Sequence, residues 1–303
     1  MNPGSARRIA YEVLRWTGLS SLWRATTTRD GTTILAYHEI GPDTLDRHLS
    51  VLRRHYRFIG LRQFLDAGAA KNGSLPPRSL IVTLDDGRMS DRELLPVFRK
   101  HGVKPTIFLT SGIIGTHRSL WTTIPADRFQ VEQLKRIPDG DRMAALEALG
   151  HTDTTEYPDR CALSRSDIEE MRQDVDFQAH TVFHPILSQC SDERSRMEIV
   201  GCKRQLEEEF GLDICAFAYP NGHAADFLDR DARFVREAGY SCAVTVDPGT
   251  ATTDSDMFRL PRYTIGGEAS ASEVVARASG LPTRLKRLAR RWTRPSNATA
   301  NSR

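Results

Sequence analysis

The sequence has few cysteines, no long apolar run and no marked excess of either charge. Its 5 cysteines are scattered and odd in number, without a CxxC spacing, which argues against a disulfide framework and against a thiolate zinc site. The formal net charge of +3 gives no reason to expect a nucleic-acid partner. No apolar run reaches the roughly 20 residues that a membrane-spanning helix needs. The 303 residues are nevertheless 39% hydrophobic, enough for a substantial core.

Both ends of the chain are basic and amphipathic. Residues 1–31 contain no apolar stretch of signal-peptide length, because Glu12 and Arg15 interrupt it. Residues 269–303 predict a basic helix followed by a disordered tail, with leucines spaced among arginines. Two alternatives stay open: peripheral association with an anionic membrane surface, or a solvated basic helix at each end. We expect a cytoplasmic protein, with the inner face of the membrane as the alternative location.

Strand and helix patterns alternate between residues 32 and 268. This alternation predicts a parallel sheet with helices outside, and about seven such units favour a closed barrel over an open sheet. Residues 115–165 interrupt the pattern and predict inserted helices that shape the rim. The predicted strands are 32–37, 79–84, 104–112, 174–180, 214–220, 241–246 and 258–265.

Polar residues follow several of these strands where they end. In a barrel such strand ends meet on one rim, where the chemistry of this architecture collects. The residues concerned are His38 after the first strand, Asp85 and Asp86 in "TLDDG" after the second, His180 and His184 in "HTVFHP" after the fourth, and "YPNGH" (219–223) after the fifth.

The adjacent carboxylates of Asp85 and Asp86 need an explanation, because they repel each other and are costly to desolvate. Two imidazoles and one carboxylate form a set suited to Zn²⁺ or a similar divalent ion. One aspartate would be a ligand and the other would stay free beside a bound water; this pattern does not say which. Gly87 allows the tight turn that points both side chains at one site. Paired structural histidines are the alternative.

Three motifs in order, "TLDDG", "HTVFHPILS" and "FAYPNG", resemble those of the polysaccharide deacetylase family with its NodB-type domain (carbohydrate esterase family 4). "ILAYHEI" and "FRLPRYTI" also resemble segments of that family. The resemblance covers residues 32–268, apart from the insertion at 115–165.

The resemblance implies a distorted (β/α)₇ TIM-like barrel and metal-dependent removal of an acetyl group from a sugar nitrogen. It implies that Asp86, His180 and His184 bind the metal, most simply Zn²⁺, and that Asp85 is the general base for the metal-bound water. Tyr219, Pro220, Asn221 and His223 would form the substrate and oxyanion side of the site, with a backbone N–H near Asn221 facing the oxyanion. The partner would be an N-acetylated glycan or a lipid-linked glycan precursor.

Two departures from the family pattern affect individual roles. The third motif carries Ala218 and Asn221 where the family often has Arg and Tyr, so the cation beside the base must come from elsewhere; Arg262 is the candidate, and a surface arginine is the alternative. No "LxH" motif, the usual source of the acid, lies near the C-terminus. His38 is the proposed replacement, followed by His223.

Two other functions remain open from the sequence. The same site could hydrolyse an O-acetyl ester on a sugar, because its leaving group is easier to expel without a catalytic acid. It could also hydrolyse a formamide on a sugar. A catalytically silent glycan-binding homologue is the third hypothesis, although it has no reason to keep a costly cluster of two aspartates and two histidines.

Overall fold

The computed structural model describes residues 31–70 and 74–286. All pairings between the strands of its single sheet are parallel. The described strands are β1 (Thr33–His38), β2 (Arg57–Phe58), β3 (Ser79–Asp86), β4 (Thr106–Leu109), β5 (Asp176–Ala179), β6 (Ala216–Ala218), β7 (Cys242–Val244) and β8 (Tyr263–Gly266).

The strands lie in the order β7-β6-β5-β4-β3-β1-β8, with the short β2 beside β3. They form a half-barrel surrounded by helices, so the predicted distorted (β/α)₇ barrel is confirmed. The described helices are α1 (Pro42–Leu52), α2 (Leu61–Ala69), α3 (Leu95–His101), α4 (Arg128–Leu134), α5 (Asp139–Glu147), α6 (Arg165–Met171), α7 (Asp192–Phe210), α8 (Asp229–Glu237) and α9 (Ala271–Ala278).

The central strands form where the sequence is continuously apolar. All 8 residues of β3 are buried, as expected for a parallel strand covered on both faces. Successive side chains enter two apolar clusters on opposite faces of the sheet: Ile34 and Ile81 belong to one, and Leu35 and Val82 to the other. The sheet therefore has a packed layer on each face.

Strand register brings the predicted site residues to one level. Asp86 is opposite Leu109 of β4, and Leu109 is opposite Ala179 of β5. His180, the next residue after β5, is thus two strands away from Asp86 at the same edge. His38 ends β1 on the other side of β3.

Several boundaries differ from the predicted ones. The last strand starts at Tyr263 rather than at residue 258, because Pro261 has no N–H for a sheet hydrogen bond. Leu260 nevertheless forms an isolated parallel bridge to Val244 of β7, so the two edges of the half-barrel approach each other there. The two-residue β2 was not predicted, since it has no alternating pattern long enough to recognise.

The predicted insertion is present as helical structure. Residues 115–165 contain α4, α5 and a short 3₁₀ turn at Trp121–Thr123. The basic segment at 1–30 and the residues after 286 lie outside the described part of the chain. Within residues 31–70 and 74–286, no helix is both long and apolar enough to cross a bilayer. All five cysteines fall in the described ranges and are free thiols.

Candidate active site

The end of β3 turns so that two adjacent carboxylates approach one site. Asp85 shares its strand face with Thr83, whereas strict alternation would send Asp86 to the opposite face. Asp86 instead has a left-handed backbone (φ 81°), and Gly87 continues the turn with φ 72°. A Cβ at Gly87 would lie 2.5 Å from Cδ2 of Leu109, so both the backbone angle and the space require glycine.

Asp85 forms a buried, bidentate ion pair with Arg262. Nη1 of Arg262 donates to Oδ1 of Asp85 at 2.7 Å, and Nη2 donates to Oδ2 at 2.8 Å. The other guanidinium donors reach the hydroxyl of Thr83 and the carbonyl of Thr245. Burial is the largest single influence on the pKa of Asp85 and would raise it, but the charge and hydrogen bonds of Arg262, together with the nearby His180 and His38, outweigh burial and hold that pKa below its usual range. Arg262, the predicted cation, is therefore in direct contact with Asp85, the predicted base.

Asp86, His180 and His184 converge as a possible ligand set. Their ligand atoms lie within 4.8 Å of one another. Oδ1 of Asp86 is 3.7 Å from Nε2 of His180 and 3.5 Å from Nε2 of His184. Nδ1 of His180 lies 2.7 Å from the carbonyl of Ala218, which can only accept, so Nδ1 carries the proton and the Nε2 lone pair faces Asp86.

This donor set fits a divalent ion such as Zn²⁺. In a tetrahedral site with bonds of about 2.1 Å, neighbouring ligand atoms are about 3.4 Å apart, close to the two distances from Oδ1 of Asp86, and all the ligand atoms lie within 4.8 Å of one another. Burial lowers the pKa of His184 to about 4, so its imidazole is neutral at pH 7. The carbonyl that fixes the His180 tautomer is the kind of outer partner found around metal-binding histidines.

Arg88 also contacts this cluster, and the sequence did not single it out. Its Nε lies 3.1 Å from Oδ2 of Asp86, and its guanidinium also pairs with Glu39. Arg88 thus donates to Oδ2 of Asp86, the oxygen that faces away from the histidines, while Oδ1 of Asp86 faces them. Its position directly after "DDG" was the available signal.

His38 lies at the open side of the pair formed by Asp85 and Arg262. Its Nε2 is 3.7 Å from Oδ2 of Asp85, too long for a hydrogen bond but close enough to share a substrate group. The side chain is 44% exposed, in contrast to the 4% of Asp85. The structure therefore brings His38 to the site, on the side that a substrate can reach.

The loop after β6 carries the residues predicted for the substrate and oxyanion side of the site. The ring of Tyr219 is buried and stacked on Phe227, and its hydroxyl donates to the carbonyl of Phe258. Packing against Phe227 turns the Tyr219 side chain into the core, so only the backbone of this residue can contribute to the substrate and oxyanion side of the site.

Asn221 and His223 complete that loop. Asn221 has a left-handed backbone (φ 59°), and its side chain is held by Lys135 and by Asp226. These contacts fix the turn, and the oxyanion role of a backbone N–H near Asn221 stays a prediction. His223 is 62% exposed and lies 3.8 Å from Asp247; within the described part of the chain, no ion pair joins it to the aspartates or histidines of the site.

Left-handed backbone at non-glycine residues is concentrated around this rim. Such conformations are costly and cluster at functional sites, where the surrounding structure enforces them. Among the described non-glycine residues with positive φ, only Arg78 lies away from the rim. The others lie at strand ends or in the loops that follow them: Glu39, Asp86, Thr181, His184 and Asn221.

A family model described as polysaccharide deacetylase matches residues 72–243, more than half of the 303-residue chain. The chain belongs to the polysaccharide deacetylase family. Members of this family are hydrolases of carbon–nitrogen bonds that act on acetylated polysaccharides and are generally metal-dependent. The matched region contains Asp85, Asp86 and both histidines of the ligand set.

One curated relative is similar in sequence to part of this chain. YxkH of Bacillus subtilis (strain 168), which carries the name of a polysaccharide deacetylase, is 22% identical over 196 residues, covering 64% of this chain. The matched stretch spans only 54% of YxkH, about half of its length.

Two solved structures share the fold at low sequence identity. The Streptococcus pyogenes deacetylase PplD, solved with acetate, superposes with a TM-score of 0.59 at 19% identity, covering 82% of this chain and 96% of PplD. IcaB of Ammonifex degensii gives 0.57 at 22% identity, covering 82% and 97% of the two chains. Both likenesses show the shared barrel fold.

Proposed function

We propose that this protein is a metal-dependent deacetylase that removes N-acetyl groups from a glycan or a glycan precursor. The observation that carries the proposal is the division of labour between two adjacent carboxylates. Asp85 is bound to Arg262, while Asp86 faces His180 and His184. Each carboxylate thus has the partners that its proposed role requires.

Asp86, His180 and His184 would hold the metal, for which Zn²⁺ is the proposed ion. A divalent ion bound there supplies a Lewis acid that lowers the pKa of water and polarises an acetamide carbonyl. His180 contributes Nε2, because its Nδ1–H is engaged by Ala218. Arg88 holds the second oxygen of Asp86, so that Oδ1 is the oxygen presented to the site.

Asp85 acts as the general base in this proposal. The pair with Arg262 keeps the carboxylate ionised and fixes both of its oxygens. Each carboxylate oxygen has two acceptor positions, so each can accept a further hydrogen bond from the attacking water. Asp85 removes the proton from that water as it attacks the acetyl carbonyl.

Two residues on the open side would complete the reaction. The backbone N–H of Asn221, held in its left-handed turn, donates to the carbonyl oxygen as negative charge develops there. His38, near Asp85 and accessible from solvent, donates a proton to the sugar nitrogen as the carbon–nitrogen bond breaks. The products are acetate and a free amine on the sugar.

The substrate and location are part of the proposal. Residues 32–268 would form the catalytic unit together with the packed helix α9, and the basic residues of segments 1–31 and 269–303 outside α9 would associate peripherally with the inner face of a membrane. A lipid-linked N-acetylated glycan precursor fits such a location. The family's general substrate class, acetylated polysaccharide, is the broader alternative.

Acetate release and metal content, measured together, test this function. The full chain is stripped of metal, restored with Zn²⁺ and offered N-acetylated and O-acetylated sugars. We expect near-stoichiometric Zn²⁺ and zinc-dependent acetate release from N-acetyl substrates. The variant Asp85→Asn should still bind Zn²⁺ but lose activity by about 10²–10⁴-fold, the usual contribution of a general base.

Each other outcome has a defined meaning. Release from O-acetyl substrates alone would replace the amidase assignment with an esterase. Bound Zn²⁺ without any acetate release would favour the silent glycan-binding homologue. Full activity of Asp85→Asn would refute the base assignment, and absence of metal binding would refute the proposal as a whole.

A further inference from the structure

The loop that carries both metal-site histidines is held in a backbone conformation that it would not adopt alone. This histidine loop, residues 180–185, contains two non-glycine residues with left-handed backbone, Thr181 (φ 67°) and His184 (φ 58°). Such conformations persist only where surrounding contacts enforce them. The contacts that enforce this loop come from α7 on one side and from the 115–165 insertion on the other.

Glu198 of α7 holds the middle of the histidine loop. Its Oε2 accepts the backbone N–H groups of Val182 and Phe183, both at 2.8 Å. Glu198 is fully buried, and this burial raises its pKa to about 7 against the opposing charge of Arg194; in its ionised form it makes strong, charge-assisted hydrogen bonds to the two backbone N–H groups. These bonds lie between the two histidines and limit how far either can move.

Trp121 of the insertion holds the end of the loop. Its indole Nε1 donates to the carbonyl of His184 at 2.8 Å, and the side chain is 1% exposed. The guanidinium of Arg142 stacks over the indole at 4.8 Å from the ring centre and is itself paired with Asp139. The donor to His184 is therefore fixed by buried groups of the insertion.

Arg194 connects the two holding points. Its Nη2 contacts Oε1 of Glu198 at 2.9 Å and Oδ2 of Asp153 at 2.6 Å, and its Nε lies 3.6 Å from Asp139. A continuous polar network thus runs from the insertion through α7 to the backbone of the histidine loop. We call this network, made of Trp121, Asp139, Arg142, Asp153, Arg194 and Glu198, the loop clamp.

We propose that the insertion is part of the metal site's support, and that Trp121 and Glu198 are positioning residues for His184 and His180. This inference rests on the proposed metal site. Trp121 acts through the carbonyl of His184, since an indole N–H can only donate and its loss leaves that carbonyl without this partner. The clamp residues touch neither substrate nor metal; they set where the two imidazoles lie.

The variant Trp121→Phe removes the donor and keeps an aromatic ring under Arg142. We expect Zn²⁺ affinity of the full chain, measured by competition with a chromophoric chelator, to fall roughly tenfold, as for other outer partners of metal ligands. The visible absorption of the Co²⁺-substituted protein should also change, because the His184 imidazole is less firmly placed. Glu198→Gln, which keeps the side-chain volume, should weaken Zn²⁺ in the same direction.

The matched control is Thr33→Val. It also removes one buried donor to a backbone carbonyl, that of Ala278, but at the start of β1, far along the strand from the site. We expect it to bind Zn²⁺ as the wild type does. The thermal midpoints of the metal-free variants show whether any loss of affinity is merely a loss of fold.

The outcomes separate this inference from the proposed function. Wild-type Zn²⁺ affinity in both Trp121→Phe and Glu198→Gln, or an equal loss in Thr33→Val, would overturn the clamp while leaving the deacetylase proposal intact. A wild-type chain that binds no Zn²⁺ would instead refute the metal site itself. If Trp121→Phe does not fold, Glu198→Gln decides the question against the same control.

Discussion

The two sides of the active site differ sharply in how their residues are held. On the buried side, Asp85, Asp86, His180 and Arg262 are almost inaccessible and each has a defined partner. On the open side, the side chains of His38 and His223 are 44% and 62% exposed. Side chains that must keep a fixed charge or geometry are therefore buried, whereas side chains that would meet a large glycan are exposed to solvent.

The largest expected effect comes from breaking the buried side. His184→Asn removes one ligand and keeps a residue that tolerates the left-handed backbone. Zn²⁺ affinity should fall by more than about 100-fold, exceeding the effect of losing an outer partner. Equilibrium dialysis with metal analysis measures this, with circular dichroism to confirm the fold. Stoichiometric Zn²⁺ in the variant at the wild-type dissociation constant would exclude His184 as a ligand.

A second substitution on the buried side tests its electrostatics. Arg262→Met removes the charge that lowers the pKa of Asp85, so burial is left to raise that pKa above its usual range. The base is active when ionised; its activity is therefore present above its pKa and lost as pH falls through it. The acid limb of the pH–rate profile should move to higher pH in the variant.

The control for this shift is Arg262→Lys, which keeps the charge but cannot form the bidentate pair. We expect an acid limb close to that of the wild type, with a lower maximal rate because the carboxylate is less well oriented. An acid limb at the same pH in the methionine variant would show that Arg262 does not tune the base.

The open side should give smaller and graded effects. His38→Gln should lower kcat for an N-acetyl substrate by about 100-fold, as expected for loss of a general acid, and leave Zn²⁺ affinity unchanged. His223→Gln is the matched comparison on the same side of the site. Its effect on kcat should stay within about threefold, because the exposed ring of His223 lies near Asp247 and forms no other ion pair among the described residues. The reverse ranking would transfer the acid role to His223.

Much of the fold followed from local pattern. Apolar runs such as Leu80–Leu84 predicted buried strands, the alternation of patterns predicted helices between them, and residues 115–165 predicted the inserted helices. A proline disfavours the right-handed helical conformation in the residue before it, and His184, which precedes Pro185, has a left-handed backbone. Strand lengths were less predictable, because backbone pairing and prolines decide where a strand ends.

The candidate site was predictable to the extent that it lies at strand ends. Asp85, Asp86, His180 and His184 could be placed on one rim, because parallel strands end at the same edge of a sheet. Arg88, Trp121 and Glu198 were missed, since nothing in their sequence neighbourhoods marks which backbone or side-chain atom they contact. The burial of the Tyr219 ring against Phe227 was equally invisible in the sequence, because that contact depends on tertiary packing.

The sequence by itself determined the alternation of strands and helices, the family motifs and the residues that reach the rim. The tertiary structure alone decided which partner each of them has: Arg262 pairs with Asp85 across 177 residues, and Trp121 reaches the carbonyl of His184 across 63. The order of strands and helices along the chain and the periodicity of their apolar residues are local properties of the sequence. Side-chain direction and ion pairing depend on packing between segments that are distant in sequence.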